Sequence, residues 1–172
     1  FKILEENKIS PIILDEPINK TNSVNKIKSF QPDLLVSILG NQIFKSPILK
    51  LAQKGCINLH TSLLPRYRGL MPTFWVMKNN EIKTGVSVFF VDEGIDSGPI
   101  IVQKEVKIGN RTQEELINHT KKLGMEAIAK SIDLIQKGKV KLIENDPSKK
   151  TYYTFPTRKD VLEFKKNGKK FF

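Results

Sequence analysis

The sequence predicts an α/β domain in which strands and helices alternate along 172 residues. Two observations carry this prediction: short, nearly continuous apolar runs bounded by turn-forming residues, and one long amphipathic stretch. Such apolar runs are typical of strands buried on both faces of a Rossmann-like, mostly parallel sheet with flanking helices. A chain of this length buries roughly two thirds of its unfolded surface, so it can hold a core without a disulfide or a metal.

Each element has its own signal in the sequence. Glycine, proline and acidic residues separate four apolar runs. Strands are therefore expected over residues 34–39, 56–60, 84–90 and 100–106. A short helix is expected from Ser46-Pro47, since proline is favoured in the first helical turn. A long helix runs from Thr112 to Gln136 and opens with the capping-box pattern of Thr112 and Glu115. Residues 140–143 could add an edge strand before a polar, basic tail.

The charge of the chain is strongly positive. Its 29 Lys and Arg residues against 18 Asp and Glu residues give a formal net charge of +11. Residues 139–172 alone hold ten basic and four acidic residues, so +6 of the excess lies there. This pattern is typical of a solvated lysine-rich surface, or of a protein that binds nucleic acid or a phosphorylated small molecule.

Several classes of protein are excluded by composition. Cys56 is the only cysteine, which excludes an internal disulfide framework and a cysteine-based zinc cluster and favours a reducing compartment. No leader pattern is visible near Phe1. The apolar runs fall far short of the roughly 18 residues that a membrane span requires. We therefore expect a soluble, cytoplasmic protein without a membrane partner.

A pair of polar side chains closes the second predicted strand. In Asn58-Leu59-His60, the strand period of two places the carboxamide and the imidazole on one face. Because ligands bind at the carboxyl ends of strands in open α/β sheets, this pair is a candidate catalytic site.

Two loops add charged candidates. The turn-rich segment 61–69 carries Arg66, Tyr67 and Arg68, and arginine presents a planar fork of donors that suits phosphate or carboxylate groups. These three residues are therefore candidates for binding an anionic substrate. The loop 91–99 holds three carboxylates and two glycines, but it lacks the alternating ligands and the final glutamate of an EF-hand. No metal site is expected there.

Three segments together resemble the folate-dependent formyltransferases. They are residues 55–69, which contain Asn58, His60 and Ser-Leu-Leu-Pro, residues 84–88, and the stretch Asp-Glu-Gly-Ile-Asp-Ser-Gly-Pro-Ile-Ile over 92–101. The family includes the glycinamide ribonucleotide, methionyl-tRNA and amino-sugar formyltransferases. The resemblance covers roughly residues 10–145. It implies transfer of a formyl group from 10-formyltetrahydrofolate to a primary amine, without a metal.

The resemblance also implies roles for individual residues. The catalytic residues would be Asn58, His60 and Asp96, with Asp96 within one-water reach of His60 although 36 residues separate them. Asn58 and His60 would donate to the developing oxyanion, and Asp96 would orient His60 and relay a proton. The pterin of the cofactor would lie between segments 40–44 and 92–96. The residues expected there are Gly40, Gln42, Ile43, Phe44, Asp92, Glu93 and Gly94.

The resemblance leaves the domain limits and the acceptor as expectations. Residues 1–145 would be a partial catalytic domain without its first Rossmann unit, and 146–172 a basic C-terminal extension. Arg66-Tyr67-Arg68 and Pro72-Thr73-Phe74-Trp75 favour an amino-sugar nucleotide as the amine acceptor. The net charge favours methionyl-tRNA, and the length favours glycinamide ribonucleotide. A non-catalytic binding relative is a further alternative, and no oligomeric state is indicated.

Overall fold

The computed structural model describes residues 2–40 and 42–172. Its strands are β1 (Leu35–Ile38), β2 (Cys56–His60), β3 (Arg68–Gly69), β4 (Lys83–Phe90), β5 (Ile100–Lys107) and β6 (Tyr152–Tyr153). Its α-helices are α1 (Lys2–Glu6), α2 (Thr21–Lys28), α3 (Ser46–Leu49), α4 (Pro72–Lys78), α5 (Gln113–Gln136) and α6 (Arg158–Lys166), with a 3-10 helix at Pro147–Lys149. The predicted α/β class is confirmed. Asn41, which falls in the predicted pterin segment 40–44, lies outside the described residues.

The central sheet is mixed rather than mostly parallel. Its strand order is β1-β2-β4-β5, in which β1 and β2 pair in parallel while β2–β4 and β4–β5 pair antiparallel. Residues 91–99 join β4 to β5, and this connection is too short for the crossover of about a dozen residues that a parallel pair needs. β4 is nonetheless buried along almost its whole length, so its apolar run carried no information about direction.

One core lies between the sheet and α5. The capping box predicted for this helix is present: Glu115 N–H donates to Thr112 Oγ1, and Thr112 N–H donates to the Glu115 carboxylate. The helix approaches β2 closely at Gly124, where an added Cβ would collide with the Leu59 side chain. The core residues are Ile57, Leu59, Val86, Val88, Ile101, Ala127, Ile128 and Ile135. Since Leu59 faces α5, its neighbours Asn58 and His60 face the other side of the sheet.

A second core joins α4 to the C-terminal segment. Phe164 of α6 is fully buried and stacks on Phe74 of α4 with ring centroids 4.9 Å apart. The Trp75 indole N–H donates to the Thr154 carbonyl at 3.0 Å, and β6 pairs in parallel with β3. The segment predicted as a basic tail is therefore folded against the rest of the chain, and it supports the strand that carries Gly69.

The edge strand considered for residues 140–143 is reduced to a single bridge. Ile143 exchanges two backbone hydrogen bonds with Ile100 at the start of β5, of 2.9 and 2.8 Å. No longer ladder forms in this part of the described chain. The bridge fixes the following residues, including Asn145, beside the loop between β4 and β5.

Candidate active site

A cleft of about 450 Å³ opens at the carboxyl ends of β1 and β2. Its volume lies within the range of small-molecule sites, and its position is where ligands bind in open α/β sheets. Predicted catalytic residues and both predicted pterin segments contribute to its lining. The lining residues from these groups are Asn58, His60, Asp96, Gly40, Gln42, Ile43, Phe44 and Gly94.

Asn58 and His60 reach the cleft from the same face of β2. Asn58 Oδ1 is buried and finds no hydrogen-bond partner among the described residues. Buried polar atoms are almost always paired, so an unpartnered amide oxygen on a residue that lines a cleft singles out Asn58 as a candidate functional residue. The His60 side chain is only 7% exposed.

The two nitrogens of the His60 ring face different groups. Nε2 lies 2.7 Å from the Tyr67 carbonyl oxygen, and because a carbonyl can only accept, Nε2 carries the hydrogen and donates it. Nδ1 lies 3.5 Å from Asp96 Oδ2, within the reach expected from the sequence. Nδ1 is therefore the ring atom left to face the carboxylate and the cleft.

The Asp96 carboxylate is held by the short strand β3. The Gly69 N–H donates to Asp96 Oδ2 at 2.7 Å, and the Asp96 side chain is 13% exposed. Gly69 has a φ of +91°, and an added Cβ would lie 2.7 Å from the Tyr152 ring, so only glycine fits there. Asp96 itself adopts a φ of +48°, in the left-handed region.

The wall opposite the predicted catalytic residues is formed by the loop after β1. Asn19 holds this loop: its Nδ2 donates to the Ile43 carbonyl at 2.7 Å, and its Oδ1 accepts from the Lys45 N–H at 2.8 Å. Gln42 Oε1 accepts from the Ile18 N–H at 2.9 Å. Side-chain hydrogen bonds thus hold the loop on this side of the cleft against the segment before α2.

The other predicted pterin segment contributes only its second half. Gly94, Ile95 and Asp96 line the cleft, whereas Asp92 and Glu93 are exposed and do not. Asp92 Oδ1 accepts from the Gly94 N–H at 3.0 Å and from the Ser97 hydroxyl at 2.6 Å. Its carboxylate therefore shapes the loop.

The three residues predicted to bind an anionic substrate make other contacts. Arg66 forms an ion pair with Glu81, and the Tyr67 hydroxyl donates to Glu81 at 2.6 Å. Burial, reinforced by the bond to Glu81, raises the pKa of Tyr67 to about 12. Arg68 is buried and donates to Asn145. None of the three side chains lines the cleft, and Tyr67 contributes to the site through its carbonyl.

A buried hydrogen-bonded shell supports the loop that follows β2. The Ser87 hydroxyl donates to the Ser62 carbonyl at 2.7 Å and accepts from the Leu64 N–H at 3.0 Å. Gln103 donates to the Leu64 carbonyl at 2.7 Å and to Ser87 at 3.0 Å. Ser62 and the Leu-Leu-Pro turn thus act as structural support for the segment that carries the Tyr67 carbonyl.

Sequence reasoning missed several residues of the site. Tyr152, Leu70 and Met71 line the cleft, and Asn145 contacts the catalytic loop. Tyr152 and Asn145 lie more than 45 residues beyond Asp96, and a single aromatic or amide in a basic segment gives no local signal. The pairing of β3 with β6 brings Tyr152 to the cleft, and the Ile143–Ile100 bridge brings Asn145 beside the loop that carries Asp96.

Other chemistries find little support in residues 2–40 and 42–172. Burial raises the pKa of the Cys56 thiol to about 11, which makes it a poor nucleophile. No group of three or more His, Cys, Asp and Glu side chains is arranged to hold a metal ion within these ranges. The helices described there are all too short or too polar to cross a bilayer.

Fold and site together define a class: an α/β protein in which a buried histidine–aspartate pair and an asparagine line a ligand-sized cleft. A family model described as formyl transferase matches residues 10–132. The chain belongs to the formyl transferase family, which confirms the resemblance drawn from its motifs.

Known relatives and solved structures agree with this membership. The methionyl-tRNA formyltransferase of Alkaliphilus oremlandii is 38% identical over 149 residues, which cover 86% of this chain and 48% of that protein. The structure of WlaRD, a sugar 3N-formyl transferase, shares 26% identity with a TM-score of 0.69, covering 92% of this chain and 53% of that one. The formyltransferase PseJ from Anoxybacillus kamchatkensis shares 25% identity with a TM-score of 0.73, covering 94% and 82%. The chain spans about half the length of the curated relatives it matches.

Proposed function

We propose that this chain carries the catalytic site of a folate-dependent formyltransferase, which moves a formyl group from 10-formyltetrahydrofolate to a primary amine. The observation that carries the proposal is the convergence of Asn58, His60 and Asp96 on one cleft. These residues come from two segments 36 positions apart in the sequence. Family membership and the folates bound in the structures of WlaRD and PseJ support the same reaction.

The cleft fits the proposed formyl donor. Its volume of about 450 Å³ is ample for a pterin ring, and the polar Asn58 side chain lies in its wall. The backbone of the loop that includes Gly40 and Phe44 would hold one side of the ring, and Gly94 and Ile95 the other. When bound, the folate supplies the formyl group.

The residues of this chain would act on the charge that develops during transfer. The Asn58 amide donates to the oxygen of the group under attack, where negative charge accumulates. His60 Nδ1 becomes the second donor when the ring carries a second proton, because Nε2 already donates its hydrogen to the Tyr67 carbonyl. The Asp96 carboxylate lies beside His60 Nδ1 and accepts the proton that the attacking amine loses, directly or through water.

The acceptor is proposed to be methionyl-tRNA. Sequence reasoning favoured an amino-sugar nucleotide because Arg66 and Arg68 could hold a diphosphate, but Glu81 and Asn145 engage these side chains. The acidic residues of α6, Asp160 and Glu163, both pair with Lys78. The cations of α6 and of the four residues after it make no ion pair within the described chain, and we propose that they form a basic surface suited to phosphates. They are Arg158, Lys159, Lys165, Lys166, Lys169 and Lys170.

The curated relatives support the same acceptor. They are methionyl-tRNA formyltransferases, and the one from Alkaliphilus oremlandii shares more identity with this chain than WlaRD or PseJ does.

An amino-sugar nucleotide is the second candidate. Tyr152 lines the cleft beside Gly69 and is 53% exposed, so its ring offers a face on which a nucleobase could stack. The neighbouring structures were determined with dTDP and with a UDP-linked formamido sugar.

A formyl-transfer assay with each acceptor separates these candidates. We expect transfer to methionyl-tRNA, with an affinity that falls by about tenfold or more between 50 and 200 mM salt. Replacing Lys159, Lys165 and Lys166 together by glutamine should flatten this dependence. The matched control replaces Lys121, Lys122 and Lys130 of α5 by glutamine and should leave the slope unchanged.

Transfer only to a sugar nucleotide, with a shallow salt dependence, would select the second candidate. Transfer to neither of these acceptors, nor to glycinamide ribonucleotide, in the full-length protein would reject the function.

A further inference from the structure

Asn145 contacts both the loop that carries Asp96 and the strand β3. It is 7% exposed and lies two residues beyond the Ile143–Ile100 bridge, outside the region that the family model matches. Its Nδ2 donates to the backbone carbonyls of Asp96 and Gly98, both at 2.9 Å. One side chain therefore holds the backbone of the loop on both sides of Ser97.

The same amide also holds the buried Arg68. Asn145 Oδ1 accepts from Arg68 Nη2 at 2.7 Å, and the Asn145 backbone carbonyl accepts from the same atom at 3.2 Å. Arg68 is 6% exposed and forms no ion pair within the described chain, and its Nε finds no partner there. A buried guanidinium needs acceptors, and Asn145 supplies them.

The two sets of contacts converge on the Asp96 carboxylate. Arg68 precedes Gly69, whose N–H donates to Asp96 Oδ2. Asn145 thus holds the backbone carbonyl of Asp96 directly. Through Arg68 it also anchors β3, the strand whose Gly69 N–H binds the Asp96 carboxylate. Asp96 adopts a φ of +48°, a conformation that costs free energy in a residue other than glycine and persists only where neighbours enforce it.

We propose that Asn145 is a positioning residue for the proposed formyl transfer: it sets the Asp96 carboxylate against His60 Nδ1. The expected loss of kcat rests on the proposed function, whereas the expected position of Asp96 does not. Only an amide offers an acceptor to Arg68 and a donor to two carbonyls from the same short side chain. A displacement of about 1 Å in a catalytic group can lower a rate by about a hundredfold, so the register of this loop matters.

The test compares Asn145→Asp with Asn145→Ala and with the control Asn167→Asp. Aspartate at position 145 keeps an acceptor for Arg68 and adds an ion pair, so folding should survive, but it repels the carbonyls of Asp96 and Gly98. Asn167 donates from an exposed position to the Lys78 carbonyl at 3.1 Å, away from the cleft. The measurements are kcat and KM with the formyl donor, the urea unfolding midpoint, and a crystal structure of each folded variant.

We expect Asn145→Asp to fold, to lose kcat by about tenfold or more, and to change KM for the donor by less than about twofold. Its crystal structure should show the Asp96 carboxylate shifted from His60 by about 1 Å. The Asn167→Asp protein should match the parent in kcat, in KM and in the separation of Asp96 from His60.

Three results would overturn the proposal. They are a folded Asn145→Asp protein with kcat within about threefold of the parent, an unchanged Asp96 to His60 separation, or loss of folding in both variants at position 145. The last would make Asn145 a determinant of stability alone. If the parent transfers no formyl group, the proposed function fails, and the crystallographic separation still decides this inference.

Discussion

The two walls of the cleft are built differently. On the catalytic wall, the side chains of His60 and Asp96 are nearly buried, and each is held by a backbone group of the β3 segment. On the opposite wall, Leu39 is 72% exposed and Ile43 is 53% exposed. A strand and a buried hydrogen-bonded shell fix the first wall, whereas side-chain contacts to the segment before α2 hold the second.

This difference predicts different roles for the two walls: one stabilises developing charge, and the other binds the ring system of the folate. Groups that stabilise developing charge act best when they are already in place, because reorganising them during the reaction costs free energy. A wall that only binds a ring system can adjust to it. We therefore expect changes on the catalytic wall to lower kcat and changes on the opposite wall to raise KM for the folate.

The largest effect is expected at the catalytic pair. Asn58→Ala and His60→Ala should each lower kcat by about 10² or more, because each removes a donor to the developing oxyanion. Steady-state transfer assays provide the measurement, and circular dichroism should show an unchanged fold. His119, exposed on α5, is the matched control, and His119→Ala should retain the parental rate. Rates within about threefold of the parent for both catalytic variants would remove these residues from the mechanism.

A smaller effect on stability is expected behind the catalytic wall. Ser87→Ala leaves the buried Leu64 N–H and Ser62 carbonyl without a partner, which should lower the free energy of unfolding by about 1–3 kcal/mol. Urea unfolding measures the difference. Ser131 is equally buried, but its hydroxyl bonds only the Ala127 carbonyl of its own helix. If Ser131→Ala destabilises the protein as much as Ser87→Ala, the hydrogen bonds of Ser87 to Ser62 and Leu64 add no more stability than a bond within a helix.

The smallest effect is expected on the opposite wall. Phe44→Ala should weaken the binding of folinic acid by about tenfold, since a buried phenyl group contributes about 1.5 kcal/mol or more. Titration calorimetry measures the affinity, and kcat should stay close to the parental value. Phe155 is exposed and does not line the cleft, so Phe155→Ala should bind like the parent. A loss in kcat without a loss in affinity would reverse the roles of the two walls.

The sequence predicted the local elements better than their arrangement. Turn residues bounded the apolar runs of β1, β2, β4 and β5, and the period of two placed Asn58 beside His60. Strand direction stayed hidden because β4 is buried along almost its whole length and therefore lacks an alternating pattern. α4 was missed for the same reason: six of its seven residues are buried, so it has no polar face.

The C-terminal segment shows why composition can mislead. Its many lysines predicted a polar extension, but Val161, Phe164 and Phe171 pack against the core around α4. The partners of Arg66 and Arg68 could not be predicted from the sequence either, because Glu81 and Asn145 lie 15 and 77 residues away. Contacts over such separations depend on the fold as a whole.

The most direct test of the account is a crystal structure of the protein with a hydrolytically stable 10-formylfolate analogue. The ring system should lie between the loop after β1 and residues 94–96, with the formyl oxygen within about 3.5 Å of the Asn58 amide and near His60 Nδ1. An analogue bound outside the cleft, or with its formyl group more than about 6 Å from both side chains, would contradict the account.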